Sequence, residues 1–315
     1  MVEVDMMGNT IHNWDMLERG YTMHHAISQD KQGNILATVS KTSAKIANGK
    51  DVRINDFIIM MDPEKGEILQ EWDLVHMLDS ARYGMTDYDL TSDPFAQSAS
   101  NWAHNNGIVE WGDDYLATAR YQGIFKFNKA GGIEWIISPH GYWRDKYLKL
   151  LLNPLHADGT PITDPEVIAG TKNCDDFEWP WGCHTAVPLP NGHILYFNNG
   201  YGRNFKLDFT DRKNIYTCGI EYEVDEVNRT VRQVWQYGKE RGAAYFTPAR
   251  SGVQYLEQTG NRLICPGMSN VLSNGNRGAR VTEVDPETQD VVFELELEDA
   301  IYQRVYRMSL YPENQ

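Results

Sequence analysis

The sequence predicts an all-β chain, a β-propeller of four-stranded antiparallel blades. Two observations predict it. The first is internal repetition: a glycine ahead of an apolar strand recurs at Gly33, Gly112, Gly192 and Gly260, at intervals of 79, 80 and 68 residues. The second is that each unit reads as two consecutive hairpins, alternating with period two and turning at Asp, Asn, Gly and Pro. Two hairpins per unit, repeated along the chain, make propeller blades. A β-sandwich would also give many short strands, but not this order at this spacing.

The elements follow in order. Residues 2–14 alternate like the second half of a blade. The first full unit carries His25 into the Gly33 turn, returns at 35–40, and adds a hairpin from 57–61 to 67–72 around Asp62-Pro-Glu-Lys-Gly66. The second runs from His104 through Gly112 to 115–120, then from 124–127 to 133–137. The third runs from His184 through Gly192 to 193–197, then from 219–224 to 230–235. The fourth runs from Gly252 through Gly260 to 262–265, then from 280–284 to 290–297. Residues 302–310 alternate as one more strand, which would close the ring on the N-terminal hairpin and give five blades. A propeller lacking its first blade is the alternative.

Two segments, about 75–101 and 138–181, interrupt the blades and include a helical stretch at 143–152. Structureless runs this long inside a domain usually bind or cover something, and they are read as covers over one propeller face. Length alone suggests about two domains. The repeat overrides that expectation, and no low-complexity linker splits the chain, so a single domain over 1–315 is expected.

Composition narrows the partners. Asp and Glu number 44 against 29 Lys and Arg, a formal charge of -15. That disfavours nucleic acid and anionic membrane surfaces, which both need a basic face. The longest apolar runs, at 57–61 and 148–152, fall far short of the roughly 20 residues that cross a bilayer. The start of the chain lacks the basic and apolar regions of a secretory leader, so none is expected. Cys174, Cys183, Cys218 and Cys265 form no C-x-x-C pair. Cys174 and Cys183 would either bond to each other in an oxidising compartment or remain free thiols.

Eight residues before the first three anchor glycines stand His25, His104 and His184. Matched positions in successive blades lie at matched distances from a propeller axis, so the three are expected at one mouth of the channel. A lone strand histidine is ordinarily structural; three in register point to a site. They suit a three-His metal centre or a histidine nucleophile with acid–base helpers. Asn106, two residues past His104, would share its strand face. Arg120 ends the return strand. A guanidinium and an amide beside imidazoles describe an anion cradle, whereas a cation would repel a bound metal.

Four runs carry a family resemblance: Trp102-Ala-His104-Asn-Asn106, Ala119-Arg120-Tyr-Gln122, Cys183-His184-Thr-Ala-Val-Pro-Leu-Pro-Asn-Gly192 and Thr230-Val-Arg-Gln-Val-Trp-Gln-Tyr-Gly-Lys-Glu-Arg-Gly242. Over nearly its whole length the chain resembles the bacterial arylsulfate sulfotransferases. The resemblance implies a six-bladed propeller that moves a sulfuryl group from a phenolic sulfate to a phenol. The route is ping-pong, without a nucleotide sulfate donor, other cofactor or metal. It implies His184 as the transiently sulfated residue and His104, Asn106 and Arg120 as sulfuryl binders. His25 is a further site histidine, with His24 as the alternative. A pocket hydroxyl falls on Ser251 or Thr247. It also implies a periplasmic location; a homodimer is left open. Trp143, Trp179, Trp181, Tyr121 and Tyr245 either stack on the aryl ring or pack the loops. Two other readings stay open: a three-His metal-dependent oxygenase or lyase, and a non-catalytic ligand-binding propeller.

Overall fold

The hairpins form because their turns satisfy themselves. At the first anchor, Asp30 accepts from the backbone N–H groups of Gln32 and Asn34 at 3.0 and 2.8 Å, while Gly33 takes the left-handed φ of 85° that closes the loop. A computed structural model describes residues 1–48, 51–82, 102–206, 210, 212–269 and 272–299. The expected closing strand at 302–310 and much of the 75–101 segment lie outside these. The described chain is mostly strand and forms four antiparallel four-stranded blades in chain order, the predicted β-propeller class. It divides into two compact units, Met1–Leu151 and Leu152–Gln315.

The first unit opens with the hairpin β1 (Val2–Val4) and β2 (Thr10–Asn13). Its first blade comprises β3 (Thr22–Gln29), β4 (Ile35–Asn48), β5 (Asp51–Met61) and β6 (Ile68–Asp73), followed by the one-turn helix α1 (Leu74–Met77). β4 and β5 run well beyond the expected ends at 40 and 57, as a long two-stranded ladder. The second blade is β7 (Asn105–Trp111), β8 (Asp114–Ala119), β9 (Gly123–Phe127) and β10 (Ile133–Ile137). The core between these blades is Leu36, Ile58 and Trp72 against Ile108, Tyr115, Phe125 and Phe127. Each such side chain contributes about 1.5–3 kcal/mol on burial, against about 0–1 kcal/mol for an exposed ion pair, so this core rather than surface charge holds the blades. The helix expected over 143–152 is only α2 (Asp145–Leu148). The chain leaves it so that the Leu150 carbonyl can accept from the Ile136 amide at 2.8 Å, extending the ladder instead.

In the second unit the segment read as a cover is partly structure. β11 (Asn153–Leu155) pairs in parallel with Thr230–Arg232 as the fifth strand of its sheet, and α3 (Pro165–Ala169) is capped by Asp164 and ended by Gly170. The third blade is β12 (His184–Pro188), β13 (Ile194–Asn198), β14 (Cys218–Asp225) and β15 (Thr230–Tyr237). After α4 (Gly242–Tyr245), the fourth blade is β16 (Ser251–Tyr255), β17 (Arg262–Pro266), β18 (Gly278–Val284) and β19 (Val291–Glu298). Leu195, Phe197, Tyr245, Val253, Ile264 and Val284 make the core between the two.

One irregularity recurs where the site residues lie. The first strand of each of the first three blades slips register against its neighbour: between Met23 and Ile27, between Asn105 and Gly107, and between His184 and Ala186. Non-glycine residues take left-handed backbone there, with φ of 55° at His25, 55° at His104 and 43° at Thr185. Bulges re-aim side chains, and such backbone costs on the order of 1 kcal/mol or more per residue, which surrounding contacts must offset.

Candidate functional site

In the first unit the structure brings His25 and His104 together. Their Nε2 atoms are 3.1 Å apart, with rings edge to face. Behind them, His24 Nδ1 meets His25 Nδ1 at 3.0 Å, and His24 Nε2 faces Asp56 Oδ1 at 3.4 Å. Asp56 is buried and accepts from the Asn105 amide at 3.0 Å and the Ser40 hydroxyl at 2.9 Å. His25, not His24, is the one against His104.

Arg120 follows β8, is buried, and donates its backbone N–H to the His104 carbonyl at 2.9 Å. Its guanidinium sits 5.8 Å from the Tyr121 ring, whose centroid is 6.1 Å from that of His104. Asn106 is buried. The expectation that Asn106 shares a strand face with His104 is corrected: His104 stands before β7 in left-handed backbone, and the register slip falls on Asn106. Strand alternation therefore does not relate the two. No third His, Cys, Asp or Glu ligand atom of the described first unit joins His25 and His104 in a metal-sized group.

In the second unit His184 opens β12 and is buried, 4% exposed. Its Nδ1 lies 2.6 Å from Asn199 Oδ1. Asn199 is fully buried, and its Nδ2 donates to the Thr247 carbonyl at 2.9 Å and to Ser251 Oγ at 3.2 Å. A carbonyl cannot donate, so the amide orientation is fixed and Oδ1 must face the histidine. His184 consequently carries its proton on Nδ1, and Nε2 is the basic nitrogen. Thr217 braces the arrangement, donating to the Asn199 carbonyl at 2.9 Å and accepting from the Thr247 amide at 2.9 Å. The turn after Asn199 needs Gly200: at φ 70° a Cβ there would sit 2.1 Å from the Tyr216 carbonyl oxygen.

Of the two hydroxyl candidates, Ser251 enters this network by its side chain, while Thr247 enters by its carbonyl and turns its hydroxyl to the Ala249 carbonyl at 2.8 Å. The aromatic candidates are core. Trp143, Trp179, Trp181, Tyr121 and Tyr245 are all buried. Trp179 donates to the Val167 carbonyl at 2.8 Å and Tyr245 to the Thr282 hydroxyl at 2.9 Å. All four cysteines are free thiols. Burial pushes the Cys218 thiol up to about 12, which removes it from nucleophilic chemistry.

Asn199 escaped the sequence reading. A signal existed: it follows the second strand of its blade, as Arg120 follows β8 in the blade before. Asp56 had none, because it lies in an unremarkable strand.

Comparison with known proteins shows the family. The arylsulfotransferase (ASST) family model matches residues 1–307. The chain is 29% identical, over 98% of its own length, to "Arylsulfate sulfotransferase AssT" of an Escherichia coli O6:H1 strain. It is 30% identical, over the same 98%, to the protein of that name from Lelliottia amnigena. It spans about half the length of these curated relatives, 56% of each. Among solved structures, the quinohemoprotein alcohol dehydrogenase of Comamonas testosteroni aligns over 89% of this chain and 36% of its own, at 9% identity and a TM-score of 0.39.

Proposed function

Because the chain belongs to the arylsulfotransferase (ASST) family, we propose that it moves a sulfuryl group from a phenolic sulfate to a phenol through a sulfated His184. The observation that carries this reading is the hydrogen bond of 2.6 Å between His184 Nδ1 and the immobilised Asn199 Oδ1, which makes Nε2 the nucleophilic nitrogen.

In the first half-reaction the Nε2 lone pair attacks sulfur, the bond from sulfur to the aryl oxygen breaks, and the phenolate takes a proton from the imidazolium form of His25, which the acceptor phenol later restores. Such transfers are loose and in-line, so positioning and charge stabilisation carry the catalysis. His104, Asn106 and Arg120 are assigned the sulfuryl oxygens, where charge redistributes. The sulfated ring keeps its Nδ1 proton and becomes cationic, which strengthens the bond to Asn199. In the second half-reaction an acceptor phenol gives its proton to His25 and attacks sulfur, and the S–N bond breaks. A phenolate is a tolerable leaving group, so no metal is required. The family's periplasmic setting and a homodimer remain part of the proposal.

With 4-nitrophenyl sulfate and a phenol varied together, initial rates are expected to give parallel double-reciprocal lines. His184→Asn should abolish nitrophenol release while circular dichroism is unchanged. Ordinary turnover by His184→Asn would refute the nucleophile, and intersecting lines would refute the covalent route.

A further inference from the structure

Away from the histidine sites, the second unit gathers three ligand types that the proposed reaction does not use. His156 stands just past β11, and Cys174 and Asp176 lie on the run that leads towards His184. Asp176 Oδ1 is 3.0 Å from His156 Nδ1 and 3.1 Å from Cys174 Sγ. The three ligand atoms lie within 4.8 Å of one another, the one such group among the described residues. The carboxylate is already oriented: its other oxygen, Oδ2, accepts from the Ala157 amide at 2.9 Å and lies 3.2 Å from His156 Nδ1, so the carboxylate faces the imidazole while Oδ1 also meets the thiol. Outer contacts of this kind hold metal ligands in place.

We propose that His156 Nδ1, Cys174 Sγ and Asp176 Oδ1 bind a zinc ion, with water as the fourth ligand. A thiolate, an imidazole and one carboxylate select a borderline cation such as Zn²⁺ over Ca²⁺ or Mg²⁺. Tetrahedral bonds of about 2.0–2.3 Å require ligand atoms about 3.3–3.6 Å apart, so the two close pairs need to open by only a few tenths of an ångström. The His156 and Asp176 side chains are 39% and 37% exposed, which gives the ion and its water access from solvent. Binding releases the Cys174 thiol proton to solvent and moves the His156 ring proton to Nε2. The ion would clamp the chain after β11 to the segment entering β12, two stretches otherwise joined at this point by side-chain hydrogen bonds.

The probe is Co²⁺, which reports thiolate ligation by a ligand-to-metal charge-transfer band. Chelator-stripped full-length protein titrated with CoCl₂ should develop that band and saturate at one equivalent. ZnCl₂ should bleach the band and raise Tm. Cys183, Cys218 and Cys265 are buried, so a band can be assigned to Cys174. Cys174→Ser should abolish it, and Asp176→Asn should weaken Co²⁺ affinity at least about tenfold. Absence of a band in the wild-type chain, or its persistence in Cys174→Ser, would overturn the site whatever becomes of the sulfuryl-transfer reading.

Discussion

His184 owes its proposed reactivity to a neighbour that does not titrate. Asn199 offers one acceptor to Nδ1 and is locked by the Thr247 carbonyl behind it, so the imidazole holds one tautomer without a carboxylate. Replacing Asn199 with Ala removes the tautomer control and should lower kcat by roughly 10²–10⁴-fold, the range that general-base alignment supplies. KM should change little. Steady-state kinetics on the folded variant check this; a loss of activity that merely follows a loss of folded protein would mean that Asn199 is only structural. The three histidines stood out because equal spacing marks equal positions in a repeat, and Arg120 because it ends the strand returning beside His104. Asn106 was legible as a candidate, but not its placement, since alternation fails at a bulge. Asn199 stayed hidden because a strand-end Asn next to Gly reads as turn chemistry.

Hairpins were the most legible elements, since Asp62, Asn128, Asp225 and Asp285 each announce a turn between alternating strands. β11 was not: three residues show no period, and its pairing with β15 is long-range and parallel. Pairings between blades were equally silent. Glu221 on β14 accepts from Arg262 on β17 at 2.6 Å and from His193 at 2.7 Å. Burial alone would raise this carboxyl, but the hydrogen bonds from Arg262 and His193 prevail and hold it below its ordinary 4.5. A carboxyl depressed in the folded state stabilises above its unfolded value and loses that contribution as pH falls. Thermal unfolding should therefore show Tm dropping as pH decreases below about 4.5, with a shallower slope in Glu221→Gln and a lower Tm for that variant at neutral pH. Equal slopes in both proteins would remove Glu221 from the acid response.

At the scale of the whole chain, a formal charge of -15 and the proposed anionic substrate are in apparent conflict. The proposal resolves it through buried groups: Arg120 is buried, and there a single cation would count for more than distant surface carboxylates. Composition reports the surface and is blind to such a residue, while the repeat locates it. The blade architecture was legible from period and turn. The division at Leu151 and Leu152 was not, although it falls within the long interruption that the sequence marks. What would join residue, blade and reaction in the proposed mechanism is a sulfuryl group held covalently on one histidine. Incubation with 4-nitrophenyl sulfate in the absence of acceptor, followed by intact-mass analysis at neutral pH, measures this directly. The expected result is a gain of one sulfuryl group, mapped by fragmentation to His184 and lost when a phenol is added. An unchanged mass during turnover, or a label on another residue, would contradict it.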